Sequence, residues 1–186
     1  WAAANLDAIV EAWYPGAHGG TAVAEVLTGA YNPGGKLTVT FPKTVGQIPF
    51  NFPFKPNSQV DGAQKVGPDG KQSRVHGALY YFGYGLSYTT YKYSNLRADK
   101  TEFAAGDSIT FSVDVTNTGT MAGKESVLLY VSDLVATITP DNRRLRAFDK
   151  VSLAPGETRT LKLAISARDL AFVGMGNRWT LEEGDF

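Results

Sequence analysis

Glu11 lies two residues before Trp13, and a carboxylate beside an indole is the pairing in this sequence that most resembles a site for acid–base work on a ring-shaped substrate. Bond cleavage of that kind needs a second carboxylate held at a fixed distance. The other candidates, Asp61 and Asp69, stand among glycines and prolines, where aspartate serves turns. For Glu11 and Trp13 the plainer reading is a strand edge and a core indole. His18 sits beside Gly19 and Gly20 at the entry to a predicted helix, a place where backbone N–H groups can receive an anion. Gly16, Gly19 and Gly20 nevertheless lack both a following Lys-Ser/Thr and the GxGxxG spacing, so close backbone packing accounts for them better than phosphate binding. His76 has no metal-ligand spacing around it, and with two histidines and no cysteine the chain offers no zinc set. No serine stands in a GxSxG elbow. Leu79 to Tyr93 holds six tyrosines and a phenylalanine, with Gly83 and Gly85 between them. Such a run is either an aromatic platform for sugar rings or a seam between packed units, and the interleaved glycines favour the seam.

The elements that would position these residues fall into three stretches. Ala8 to Trp13 reads as a largely buried strand, Thr21 as the N-cap of a short helix with Ala22, Val23, Val26 and Leu27 on one face, and Gly29 as its left-handed C-terminal cap. Leu37 to Phe41 reads as a second strand, so residues 1–42 form a βαβ unit, the last piece of an α/β sheet. Residues 43–95 are a long connection rich in proline and glycine, with Ile48, Phe50, Phe52 and Phe54 as apolar anchors. From residue 96 the pattern turns all-β: Ile109–Val115, Val127–Val131, Leu145–Leu153, Leu161–Ile165 and a last strand from Trp179, with Gly and Pro turns between, predict a sandwich.

Composition sets the bounds. The 186 residues suit two domains; 43% hydrophobic and 19% charged residues describe a chain that forms a core. Eighteen basic residues balance eighteen acidic ones without a basic run, which speaks against nucleic acid and anionic membrane as partners. No apolar run reaches the length that spans a bilayer, and a chain beginning at Trp1 reads as cut from a longer one.

Three segments resemble glycoside hydrolase family 3, the β-glucosidases and β-xylosidases. Trp13-Tyr14-Pro15-Gly16 through Thr40-Phe41-Pro42 is similar to the closing unit of the family's α/β sandwich domain. Leu79-Tyr80-Tyr81-Phe82-Gly83-Tyr84-Gly85-Leu86-Ser87-Tyr88-Thr89 resembles its link between domains, with Tyr81 where proline is usual. Asn117-Thr118-Gly119, Phe148-Asp149-Lys150-Val151 and Leu153-Ala154-Pro155-Gly156-Glu157 resemble its fibronectin type III-like domain, with Ala147 where glycine is common. The resemblance implies a C-terminal portion of a retaining β-glucosidase, or a β-xylosidase, acting on terminal non-reducing sugars with no metal or organic cofactor. The family's nucleophile is an aspartate of an N-terminal barrel and its acid/base generally a glutamate earlier in the sandwich domain; no position here matches either, so no catalytic residue is assigned in this chain. The implied partners are the barrel and the rest of the α/β domain, with a homodimer also open, in a periplasmic or extracellular setting. Family members continue past the position of Gly184-Asp185-Phe186 into a final strand, which is expected to be missing here and to leave an unpaired sheet edge. The rival reading is an independent carbohydrate- or protein-binding module.

Overall fold

The structure, a computed structural model, describes residues 1–56 and 75–186. Its first part differs from the expected βαβ unit. A single helical turn, α1 (Ala2–Asn5), leads into residues 6–14, which form no strand. A buried strand takes its hydrogen bonds from neighbours on both sides; here Ile9, Val10 and Trp13 are each about half exposed and pair with no strand among the described residues. Helix α2 (Gly19–Thr28) starts two residues before the expected cap Thr21, with His18 at the N-cap. The cause is local: the Gly19 N–H bonds the Gly16 carbonyl at 2.9 Å, and a side chain at Gly19 would meet Pro15 at 2.5 Å. At its other end Gly29 takes the left-handed conformation (φ 77°) and its N–H returns to Val26 O.

Of the expected strand over Leu37–Phe41 only its end forms a strand, and this pairs antiparallel with residues at the start of the tyrosine-rich stretch. β1 (Phe41–Pro42) joins β2 (Ala78–Tyr80), and Leu37 exchanges backbone bonds with Gly83 and Tyr84, each at 2.8 Å. Between them Gln47, buried, accepts from Lys43 N and donates to Gly77 O, tying the two ends of the connection together.

The second part is the all-β sandwich that the strand spacing predicts. β3 (Tyr91–Ala98), β4 (Ser108–Asn117) and, after two further strands, β7 (Thr158–Ser166) form one antiparallel sheet in the order β3-β4-β7. β5 (Gly123–Val131) and β6 (Arg144–Leu153) form the other, and a short hairpin of β8 (Phe172–Val173) and β9 (Trp179–Thr180) follows. β3 runs through residues 95 and 96, across the expected boundary of the connection, and shifts register between Ser94 and Arg97. Alternate residues of the two sheets meet in one core: Val113, Val115, Leu161 and Leu163 face Val127, Val151 and Leu153. Full burial of each such side chain contributes roughly 1.5–3 kcal/mol.

Carboxylates fasten strands and turns of the sandwich, and each accepts hydrogen bonds that favour its ionised form. The Ser166 backbone N–H and hydroxyl lower the pKa of Asp169, the Thr160 hydroxyl and Asn95 amide that of Asp114, and the Ala154 N–H and Arg159 that of Glu157. A depressed folded-state pKa contributes stability above the ordinary value, 3.8 for aspartate and 4.5 for glutamate, and that stability is lost as pH falls through the ordinary value towards the folded one. Thermal unfolding at pH 3 is therefore expected at a lower temperature than at pH 7; equal midpoints would contradict the assignment.

Candidate functional site

The residues first considered for chemistry do not come together. Glu11 Oε1 accepts a hydrogen bond from the Trp13 N–H at 3.0 Å, closing a small exposed turn in which Trp13 holds φ 51°. The Trp13 ring leans on Phe41 at 6.0 Å. Neither residue is the strand edge or core member that its neighbours in sequence suggest, because the strand itself is absent. His18 is exposed and makes no side-chain cap to α2. Both ring nitrogens of His76 are enclosed without a hydrogen-bond partner among the described residues. Asp61 and Asp69 lie outside the described residues. Among the described residues no group of three or more His, Cys, Asp or Glu could hold a metal ion.

What the fold does build is a three-way junction, where residues 32–37, the tyrosine-rich stretch and β5 meet. Buried Asn32 is at its centre. Its side-chain oxygen accepts from the Ser87 hydroxyl and from the Tyr88 N–H, both at 2.8 Å, while its amide donates to Ala122 O at 2.9 Å. One side chain thus ties its own segment to the two others. Lys36 repeats the pattern with charge: its ammonium reaches Glu125 at 3.3 Å and the Gly85 carbonyl at 3.0 Å. Glu125 also accepts from the Tyr93 hydroxyl at 2.8 Å, and burial first, then this bond to a carboxylate, raises the pKa of Tyr93. A pair withdrawn from water holds only when its remaining lone pairs and protons find partners, as here.

Glycines let the backbones approach. A methyl group at Gly34 would come within 2.2 Å of Lys124 O, and one at Gly85 within 2.2 Å of Gly35 O. Gly83, at φ 83°, passes under the Tyr130 hydroxyl. Further along the seam Phe82 stacks on Phe52 at 4.2 Å, and Tyr130 meets Phe52 edge-on at 5.7 Å. Asn117, fully buried, closes the sandwich end: Thr89 Oγ1 and Gly119 N–H donate to its oxygen, and its amide donates to Met121 O and Leu153 O. Of the tyrosine-rich run, Phe82 and Gly83 pack against Phe52 and Tyr130, while Tyr81, Tyr84, Tyr88 and Tyr93 stay more than a third exposed.

Residues 1–88 match the glycosyl hydrolase family 3 C-terminal domain, and residues 125–186 match a fibronectin type III-like domain. The chain belongs to glycoside hydrolase family 3. Over 99% of its length it is 39% identical to a β-xylosidase of Formosa agariphila, of which it covers 25%. Over 98% it is 38% identical to a periplasmic β-glucosidase of Salmonella typhimurium, of which it covers 24%. Among solved structures, a β-glucosidase from Listeria innocua in complex with glucose superposes on 92% of the chain with a TM-score of 0.78 at 32% identity, and the chain covers 24% of it. The chain thus spans about a quarter of the length of these family 3 relatives.

Placed in the family, the junction gains a context. The matched C-terminal domain ends at Tyr88, one residue past Ser87, and Asn32 bonds both, so the polar knot marks the exit from that domain into the sandwich. Sequence reading missed Asn32, Lys36, Glu125 and Gln47 as positioning residues. The one available signal was Asn32 before Pro33-Gly34-Gly35, which reads equally well as a turn.

Proposed function

We propose that this chain is the C-terminal part of a retaining β-glucosidase that releases terminal non-reducing β-D-glucosyl residues, and that its own role is to complete and brace the catalytic domains. The observation that carries this is the junction: three segments joined by partly buried polar bonds and glycine contacts, in a chain similar along nearly all its length to glycosidases about four times longer. Retaining hydrolysis needs two carboxyl groups about 5–5.5 Å apart, one as nucleophile and one as acid/base, and no cofactor. Glu11 spends its carboxylate on its own turn. In this proposal the catalytic pair belongs to the part of the enzyme outside residues 1–186, a reading that the local engagement of Glu11 supports.

The exposed apolar surface supports the same reading. Trp1, Leu6, Ile9, Val10, Trp13 and Tyr14 stand at least half in solvent or close to it, more than an isolated soluble unit usually leaves open. The remainder of the α/β domain and the N-terminal barrel are the partners that would cover them, which is why residues 8–13 carry a strand's composition without a strand's pairing. In this proposal the first unit is residues 1–42, the connection starts at 43, and the fibronectin-like sandwich begins with β3 at Tyr91 instead of residue 96. The periplasmic name of one relative supports a periplasmic or extracellular setting.

The Formosa relative's name favours a second substrate, a terminal β-xyloside. Full-length protein assayed on aryl β-glucoside and aryl β-xyloside separates the two by kcat/KM. Residues 1–186 alone are expected to hydrolyse neither. Measurable turnover by the isolated chain would place a catalytic carboxylate within it and sink the structural role.

A further inference from the structure

Asn117 closes one end of the sandwich; the opposite end, where Leu170 packs with Ile109 and Ile165, holds a small cavity. Its volume is about 30 Å³, room for about two water-sized groups. Ile138, Leu170 and Phe172 give it apolar walls, and five charged side chains line it as well. Three of these answer one another: Asp141 accepts from Arg144 Nε and lies 3.8 Å from the Lys55 ammonium, which also donates to Thr139 O. The other two are not matched. Asp133 Oδ1 is buried with no hydrogen-bond partner among the described residues. Arg146, whose pKa burial depresses ahead of the Arg144 charge, lies near Asp169 and Asp141 without an ion pair to either. A buried acceptor with no partner works against folding, so one that persists points to a group that fills it.

The chemistry of that group follows from the wall. Lys55, Arg144 and Arg146 repel a cation, and the unpartnered carboxylate of Asp133 repels an anion. An apolar group suits Leu170 and Phe172 but leaves Asp133 and Arg146 as they are. A carboxylate only accepts and a guanidinium only donates, so their common complement is a neutral group that does both, and a hydroxyl is the smallest. A hydroxyl borne directly on a sugar ring would have to bring the ring with it, which the volume forbids. A hydroxymethyl arm enters alone: its methylene rests on Leu170 and Phe172, and its hydroxyl donates to Asp133 Oδ1 and accepts from Arg146.

We propose that this cavity is a sugar-binding site in the sandwich, which takes the hydroxymethyl arm of an aldohexose such as glucose and does not take an aldopentose such as xylose, which has no such arm. The site is built wholly from residues of this chain. It goes beyond the reading of the chain as part of a glycosidase and does not depend on it.

Hydrogen exchange of the full-length protein, with glucose, with xylose and with neither, tests it. Amides of residues 131–146 are expected to exchange about tenfold more slowly in saturating glucose, and in xylose at the rate seen without sugar. Asp133→Leu, which sets an apolar group of similar size where the unpartnered oxygen stands, should abolish the slowing, and so should Arg146→Met. Equal slowing by both sugars overturns the proposal, as does slowing that survives Asp133→Leu. Unchanged exchange of residues 131–146 in glucose also overturns it and leaves water as the occupant. If Asp133→Leu does not fold, Arg146→Met is read in its place. Activity on aryl glycosides, assayed separately, keeps the two readings apart: a protein that hydrolyses them without slowed exchange at 131–146 loses the sugar site and keeps the enzymatic reading, while slowed exchange in an inactive protein does the reverse.

Discussion

Asn32→Ala is expected to lower unfolding stability by about 2 kcal/mol, because it takes the partner from three partly buried hydrogen-bonding groups at once. The Ser87 hydroxyl and Tyr88 N–H lose their acceptor, and Ala122 O loses its donor. The hydroxyl can turn to another acceptor; the backbone N–H and carbonyl are fixed by their segments. Asn32→Asp separates these contributions. It keeps both accepted bonds and replaces the donated one by a carboxylate oxygen facing a carbonyl, so it should also destabilise, with a loss that grows as pH rises through the new carboxyl's pKa. Asn32→Ala has no such pH dependence. Denaturant unfolding of the full-length protein, followed through Trp179 in the sandwich and Trp13 before α2, measures both. A loss below about 1 kcal/mol for Asn32→Ala would mean that water replaces the amide, and that the knot does not hold the three segments.

How much of this was legible in the sequence depends on how far away each residue's partners are. The sandwich strands could be read because a strand with one face in a core prints its alternation locally: Ile109, Val113 and Val115 are buried in β4, Leu161, Leu163 and Ile165 in β7. β3 was masked, since Tyr91 and Tyr93 belong to the tyrosine-rich run by composition and the register shift after Ser94 breaks the alternation at Asn95, which holds φ 53°. Residues 8–13 show the opposite failure. Their apolar run reads as a largely buried strand, yet pairing needs neighbours, and none of the described residues supplies them. Asn32 could not have been assigned at all: its partners are 55 to 90 residues away in the chain, and nothing near it distinguishes a structural amide from a turn former. Gly29 could, because a helix cap is a local event.

The glycines of the junction carry the second large prediction. Gly34 and Gly35 are adjacent, yet only the first should lose stability on substitution by alanine. The backbone at Gly34 is one that alanine can adopt, so strain of conformation plays no part; the obstacle is the Lys124 carbonyl oxygen 2.2 Å from where the methyl would sit, with the carbonyl carbon at 3.1 Å. A flexible side chain could swing aside, but this atom belongs to β5, whose Lys124 is held in register opposite Ser152. Relief therefore means moving residues 32–36 away from the sandwich, and Asn32 and Lys36 sit on either side of the point that must move. Gly34→Ala should cost roughly 3 kcal/mol, the upper part of what overpacking a rigid contact costs. Gly35 is exposed and a methyl there meets nothing within 4 Å; Gly35→Ala should be neutral or stabilise by up to about 1 kcal/mol through the unfolded chain. Paired unfolding curves of the two variants decide the matter. Equal effects would show that Gly34 is not wedged against β5, whereas a large loss confined to Gly34→Ala places the closest contact between the glycosyl hydrolase family 3 C-terminal domain and the sandwich at the Lys124 carbonyl.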